Sequence, residues 1–150
     1  MNSKQAPRQV GTGLEGEARP DPMAVNLPEI VIEVEAVFAR YEAALVNNDV
    51  EILDELFWND ERTIRFGIAE NLFGYETIAA FRAARPSSGA DRALSKTVVT
   101  TFGQDFATVS TLFTRASTPA GVGRQMQTWA RTADGWRVVA AHVSVIAIPG

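Results

Sequence analysis

Residues 124–146 read RQMQTWARTADGWRVVAAHVSVI, and this stretch predicts a β-hairpin. The dipeptide Asp134-Gly135 separates two runs in which apolar and polar residues largely alternate. It favours a two-residue type I′ turn, because both central residues of that turn need positive φ angles. The pairing of the strands then follows by counting outward from Ala133 opposite Trp136. This register places Trp129 opposite Ala140, Gln127 opposite His142, and Gln125 opposite Ser144.

The predicted hairpin has one polar and one apolar face, because successive side chains of a strand point to opposite sides. The polar face is expected to hold Gln125, Gln127, Trp129, His142 and Ser144. The apolar face is expected to hold Met126, Thr128, Ala130, Val139, Ala141 and Val143. Two amides, the one histidine of the chain and a hydroxyl therefore share a face with an indole, and function is expected there.

The composition predicts a globular domain without disulfides or a metal site. The chain has 150 residues, enough for one domain that buries about two-thirds of its unfolded surface. It contains no cysteine, which excludes disulfides, thiolate metal ligands and a cysteine nucleophile. It contains one histidine, which excludes sites with several histidine ligands. We therefore expect neither a metal ion nor another cofactor.

Charge and hydropathy restrict the partners and the location. The net charge is −4 and the pI is near 5.0, which argues against nucleic acid or an anionic membrane as a partner, since both favour a basic face. No apolar run reaches the roughly 18 residues that a membrane-spanning helix needs, and the N-terminus lacks the apolar core of a signal peptide. A cytoplasmic protein is expected.

The order of predicted elements indicates an α+β fold. Residues 1–26 are rich in glycine, proline and charge and predict a disordered tail, and residues 27–150 predict a single domain. Three helices are expected, from Leu27-Pro28 to Asn47-Asn48, from Asp49 to Phe57 and from Tyr75 to Ala84. Before the hairpin, strands are expected at Thr63–Gly67, Ala93–Phe102 and Phe106–Ala116. A loop is expected at Ala69–Gly74. Helices followed by long antiparallel strands predict a curved antiparallel sheet with three helices on its concave face and a cavity open at one end.

Several segments in order resemble a known family. They are Arg40–Leu45, Leu53–Trp58, Arg65–Gly67, Glu70–Tyr75, Phe81–Pro86, Gln125–Trp129 and Gly135–Val139 followed by His142–Ser144. Over roughly residues 28–146 the chain resembles the nuclear-transport-factor-2-like (SnoaL-like) superfamily, whose sheet forms a cone. More narrowly, it resembles the AtzH-like family, which includes the HpxZ-type proteins associated with oxalurate catabolism.

The resemblance implies a cavity for a small molecule and a homodimer formed through the sheet. Family members accompany amidase-type enzymes of ureide or triazine nitrogen metabolism. This implies a small carboxylate-bearing ligand, such as a carboxylated urea or an oxamate-like compound, and a possible partner amidase.

Two residues are candidates for catalysis and anion binding. His142 is the natural general acid or base, because its unperturbed pKa lies near neutrality; the alternative is a structural histidine bonded to Gln127 and Tyr41. Arg65 alternates away from its apolar neighbours in the strand, and a guanidinium binds a carboxylate through two hydrogen bonds. The alternative for Arg65 is a surface salt bridge with Glu70.

Further candidates belong to three groups. Arg82 and Arg85 lie three positions apart on one helical face, where they either clamp an anion or face solvent. Gln125 and Gln127 are suitable donors and acceptors for a ureido group, unless their face is turned to solvent or to a second subunit. The third group has three members. Glu70 is either a carboxylate base or a solvated loop residue, and Ser144 is a weak candidate for a nucleophile. Tyr41 is a core residue whose hydroxyl reaches the cavity.

Three functions remain open at this point. The first is cofactor-free hydrolysis of an amide bond in a small carboxylated ureide. The second is a non-catalytic binding or accessory module that holds the same ligand or a partner amidase. The third is an isomerase or dehydratase of the superfamily acting on an apolar substrate, which the polarity of the inner face disfavours.

Overall fold

A six-stranded sheet and three helices make up the described part of the chain. The computed structural model describes residues 21–86 and 91–148. The elements are α1 (Pro28–Val46), α2 (Val50–Leu56), β1 (Ile64–Phe66), β2 (Asn71–Phe73), α3 (Tyr75–Ala84), β3 (Arg92–Phe102), β4 (Phe106–Arg115), β5 (Gly121–Thr132) and β6 (Gly135–Ala147). The strand order is β2-β1-β6-β5-β4-β3. This confirms the predicted α+β fold with a curved sheet.

The helices form where the sequence pattern predicts them. In α1, Pro28 lies in the first turn, where its missing N–H costs no hydrogen bond, and the residues buried against the sheet recur at helical spacing. The Asp49 side chain caps α2 by accepting a hydrogen bond from the Ile52 amide at 3.2 Å. The core is centred on the fully buried Trp129, which meets the ring of Tyr41 edge-on at 6.2 Å.

Two predictions about β1 and its neighbour are wrong. Residues 71–73 form strand β2, antiparallel to β1, where a loop was expected. In addition, β1 pairs with β6 in parallel, so the sheet is mixed. The parallel direction begins before β1: Phe57 already forms a parallel bridge with Val138 as the chain leaves α2, and the Trp58 amide donates to the Val138 carbonyl at 3.0 Å. This pairing joins residues about eighty positions apart, and no local pattern indicates it.

The predicted register of the terminal hairpin is also wrong. The loop residues are Ala133 and Asp134, and Gly135, whose φ is +105°, is already paired with Thr132. A β-bulge then leaves Val139 unpaired between the pairs Trp129–Val138 and Thr128–Ala140. The extra residue reverses the alternation of β6 beyond it, so that Ala141 and Val143 face the helices.

The reversal moves two candidate residues to the outer face of the sheet. His142 is exposed there, opposite Met126 and not Gln127, and its ring meets that of Phe66 edge-on at 6.2 Å. Ser144 is opposite Arg124, whose Nε donates to the Ser144 hydroxyl at 3.1 Å. On β5 the predicted alternation is confirmed, since Gln125, Gln127 and Trp129 are all buried on the inner side.

The described part of the N-terminal segment lies against the edge strand β3. Most of the predicted disordered tail, residues 1–20, falls outside the described residues. Asn26 pairs with Thr101 twice: its amide donates to the Thr101 carbonyl at 3.0 Å, and its Oδ1 accepts from the Thr101 amide at 2.9 Å. Ordered contacts with the sheet therefore begin before the predicted domain boundary at residue 27. None of the helices in the described ranges has the length and apolar character needed to span a membrane.

The substitution Gly123→Ala is expected to destabilise the sheet by about 1–3 kcal/mol. A Cβ at this position would lie 2.1 Å from the ring of Phe113, its neighbour on β4. The ring cannot easily move away, because it is buried and the guanidinium of Arg92 lies 4.0 Å from its centre. Urea denaturation measures the change. A second substitution, Phe113→Leu, makes room for the alanine side chain, so the double variant should lose less stability than the sum of the two single losses. If the two losses simply add, the proposed clash is contradicted.

Candidate functional site

A cavity of about 190 Å³ lies between the helices and the inner face of the sheet. Its walls come from α1, β1 and the β1–β2 connection, α3 and the residue after it, and strands β3 to β6. The lining residues are Tyr41, Leu45, Arg65, Ile68, Glu70, Phe81, Arg85, Arg92, Arg115, Gln125 and Val143. Four arginines and one carboxylate among them give the lining a formal net charge of +3.

The arginines of the lining fall into two groups. Arg65 donates to Glu70 Oε1 at 2.9 Å, and Arg92 is bound to Glu42 at 3.0 Å. Arg85 and Arg115 have no carboxylate within 4.0 Å among residues 21–86 and 91–148. Two guanidinium groups of the cavity wall therefore have charge available for a ligand.

The electrostatic environment of Arg85 disfavours its positive charge. Burial lowers the pKa of the Arg85 guanidinium, and the nearby charges of Arg65 and Arg82 lower it further, while Tyr41 and Glu70 act in the opposite direction. The guanidinium stays protonated even so, because arginine does not lose its proton in proteins. A bound anion would offset the repulsion among these cations.

Gln125 lies beneath the cavity in a network with a buried ion pair. Its Oε1 accepts from Arg92 Nη2 at 2.7 Å, and its Nε2 donates to Glu42 Oε1 at 3.2 Å. Arg92 also donates from Nε to Glu42 Oε2 at 3.1 Å and lies over the ring of Phe113. Both ends of the Gln125 amide are thus engaged within the protein, so its main effect on a ligand is to fix the direction of Arg92.

Two other candidates lie outside the cavity lining. Gln127 Oε1 accepts from Trp129 Nε1 at 3.0 Å, and its Nε2 is buried without a hydrogen-bond partner in the described part of the chain. Arg82 is buried, donates to Asp54 Oδ1 at 2.8 Å and lies over the ring of Phe57. These contacts join α3 to α2, which is a structural role.

Proton transfer inside the cavity would depend on Glu70 or Tyr41, because His142 is on the opposite side of the sheet. Glu70 Oε2 accepts from the Ala69 amide at 3.1 Å while Oε1 accepts from Arg65. Gly67 makes this geometry possible, since a Cβ there would overlap Glu70 Oε1 at 1.7 Å. The loop thus holds the carboxylate at the cavity edge.

The sequence reasoning did not consider Arg92 and Arg115. They are directly opposite each other on β3 and β4, an arrangement of like charges that destabilises a sheet in the absence of anions. Counting outward from the turn at Gly103 brings them within one position of this pairing, and a bulge between Ser95 and Val98 accounts for the difference. The cross-strand pair was therefore a detectable signal. Within the described ranges, no group of three or more acidic or histidine side chains is placed to hold a metal ion.

Comparison with known families agrees with this fold. A family model described as AtzH-like matches residues 23–148. The chain belongs to the AtzH-like family. No curated protein matches the sequence.

Solved structures similar to this AtzH-like chain include two at 56% identity. One is a protein of unknown function from the DUF3225 family of Pectobacterium atrosepticum, with a TM-score of 0.80 over 85% of this chain and 98% of the other. The second is a cystatin-like fold protein from Burkholderia xenovorans, with a TM-score of 0.82 over 85% and 99%. An NTF2-like protein of unknown function from Pseudomonas putida, at 17% identity and a TM-score of 0.65 over 77% and 86%, shares the fold.

Proposed function

We propose that the cavity binds a small carboxylate-bearing ureide of the oxalurate or oxamate kind, in cytoplasmic nitrogen catabolism. The observation that carries this proposal is the pair Arg85 and Arg115, whose charges lack a carboxylate partner in the described part of the chain and border a cavity with a lining charge of +3. A guanidinium binds a carboxylate through two parallel hydrogen bonds, and burial strengthens such bonds. The proposal places the ligand carboxylate at these two residues.

The size and the remaining walls of the cavity suit a small polar ligand. The volume of about 190 Å³ is below the roughly 300–1,000 Å³ of pockets that hold drug-sized ligands. The Tyr41 ring and the buried Gln125 complete the wall near the arginines. A large apolar substrate would have to cover these charges, and this disfavours an isomerase or dehydratase acting on such a substrate.

Hydrolysis of the bound ureide is the second candidate, with Glu70 as the general base. Among the residues that the structure describes, Glu70 is the one carboxylate in the cavity lining, and a loop side chain can approach a ligand amide. Its two hydrogen bonds to Arg65 and the Ala69 amide favour a carboxylate held for structure, so binding is proposed first. A non-catalytic module of this kind would deliver or hold the ligand for a partner amidase.

Substitution of Glu70 separates the two candidates. Glu70→Gln removes a negative charge that competes for Arg65, so we expect oxamate and oxalurate to bind about three- to tenfold more tightly, measured by isothermal titration calorimetry at low salt. If the protein is a hydrolase, ammonia or carbon dioxide release from oxalurate falls in the same variant. Methylurea, which has no carboxylate, serves as the control ligand and should not bind. Absence of binding by both anions to the wild-type protein would reject the proposed ligand class.

We also propose that two copies of the chain associate through the outer face of the sheet. Met126 is 59% exposed and lines an apolar depression that Phe66 and His142 also line. Met126→Glu should convert the dimer to a monomer in sedimentation velocity, because two like charges would face each other across the symmetry axis. Ile32→Glu, at a 68% exposed position on α1, is the control and should not change the sedimentation coefficient. A monomeric wild-type protein would contradict the proposal.

A further inference from the structure

A second, apolar depression adjoins the arginine cavity. It has a volume of about 380 Å³ and is lined by Ile68, Phe113, Arg115, Thr118, Gly121, Gly123 and Val145. Ile68 and Arg115 line the cavity as well, so the two spaces adjoin at these two side chains. We call this second space the glycine groove. Apart from Arg115 and Thr118, its walls are aliphatic, aromatic or glycine.

The floor of the glycine groove lies at the start of β5, where the inward position 121 is a glycine and has no side chain to fill the space. Phe113, Gly123 and Val145 form one row across β4, β5 and β6, and the Phe113 ring occupies the space above Gly123. At Gly121, a Cβ would come within 3.0 Å of Val145 Cγ1. Any side chain at position 121 would therefore reduce the groove, whose walls include the partly exposed Ile68 and Val145.

We propose that the natural ligand is a carboxylate that carries an apolar substituent, with the carboxylate at Arg85 and Arg115 and the substituent in the glycine groove. The inference rests on the proposed function, because the carboxylate must first occupy the arginine cavity. The position of Arg115 on the boundary supports it: a carboxylate bound there has polar walls on one side and an apolar surface on the other. Burial of the substituent adds affinity in proportion to the apolar area removed from water.

Oxamate and N-phenyloxamate provide the test, since they share the carboxylate and differ in one apolar ring. By isothermal titration calorimetry, N-phenyloxamate should bind the wild-type protein at least about tenfold more tightly than oxamate. Gly121→Val should remove this difference while leaving oxamate affinity unchanged, because it fills the groove and not the arginine cavity. Ile68→Ala removes one exposed wall residue without adding bulk, and should reduce the difference part of the way.

Each outcome of this experiment bears on a different claim. Equal affinities of the two compounds for the wild-type protein would overturn the groove proposal and leave the proposed function intact. A preference for N-phenyloxamate that survives Gly121→Val would also overturn it, because the ring would then bind elsewhere. Binding of neither compound would reject the arginine cavity as a carboxylate site, and the groove proposal with it.

Discussion

The substitution Arg85→Gln is expected to weaken oxamate binding by about 10- to 100-fold without lowering the unfolding temperature of the free protein. The loss of affinity corresponds to about 1.5–3 kcal/mol for charge-assisted hydrogen bonds to the ligand carboxylate. The stability should not fall, because Arg85 makes no ion pair with the described residues and its charge is repelled by Arg65 and Arg82. Titration calorimetry and thermal denaturation of the same samples measure the two effects.

The control for Arg85 is a surface arginine in the turn before β1. Arg62 is largely exposed, donates to Asp60 and lies over the ring of Trp58, outside the cavity lining. Arg62→Gln changes the net charge of the protein by the same amount, so a general electrostatic effect would appear equally in both variants. We expect oxamate affinity within about twofold of wild type for Arg62→Gln. Equal losses in both variants would exclude a direct contact between Arg85 and the carboxylate.

The sequence predicted the parts of this molecule that depend on local periodicity. The extent of α1, the start of α2 at Asp49 and the alternation along β5 follow from spacing and capping preferences alone, and all three are confirmed. The extra residue of the bulge lies in β6, so β5 alternates regularly between Arg124 and Trp129. Gln125 and Gln127 were therefore correctly placed on the inner face.

The errors arose where one residue decides the outcome. The hairpin turn lies one residue earlier than expected, which changes the partners across the hairpin by two positions and leaves the faces unchanged. The bulge at Val139 adds one residue to β6, and this extra residue moves His142 to the opposite face. No residue type in the run Val138 to Ala141 indicates which position bulges. One extra residue in a strand turns every later side chain to the opposite face of the sheet. The predicted catalytic role of His142 therefore depended on the position of the bulge, which the sequence does not indicate.

The site was only partly predictable for a related reason. Tyr41, Arg65, Glu70 and Gln125 were candidates that the fold does bring together around one cavity. Arg92 and Arg115 belong to strands separated in sequence from the other candidates, and their proximity to Arg85 depends on how α3 packs over the sheet. Arg82, three positions before Arg85, instead forms an ion pair with Asp54 on α2. The position of that carboxylate decides which of the two arginines is neutralised.

The second large effect is expected for the ion pair beneath the cavity. Glu42→Leu should lower the free energy of unfolding by about 3–5 kcal/mol, measured by urea denaturation. The Arg92 side chain is 2% exposed and would keep its charge with Gln125 Oε1 as its one remaining side-chain acceptor in the described structure. An unpaired buried guanidinium cannot escape the cost by losing its proton. The matched control is Glu55→Leu, which breaks the half-exposed pair of Glu55 with Arg40 on the protein surface and should cost at most about 1 kcal/mol.

The double variant Glu42→Leu, Arg92→Leu decides whether the stranded charge is the cause. If it is, removing the guanidinium as well should restore part of the stability lost in Glu42→Leu, although the contact of Arg92 with the Phe113 ring is lost too. A double variant that is less stable than Glu42→Leu alone would mean that Arg92 stabilises the fold mainly through packing on Phe113. In that case the buried pair would contribute to stability less through its charge than by holding β3 and β4 at the spacing that places Arg92 and Arg115 in the cavity wall.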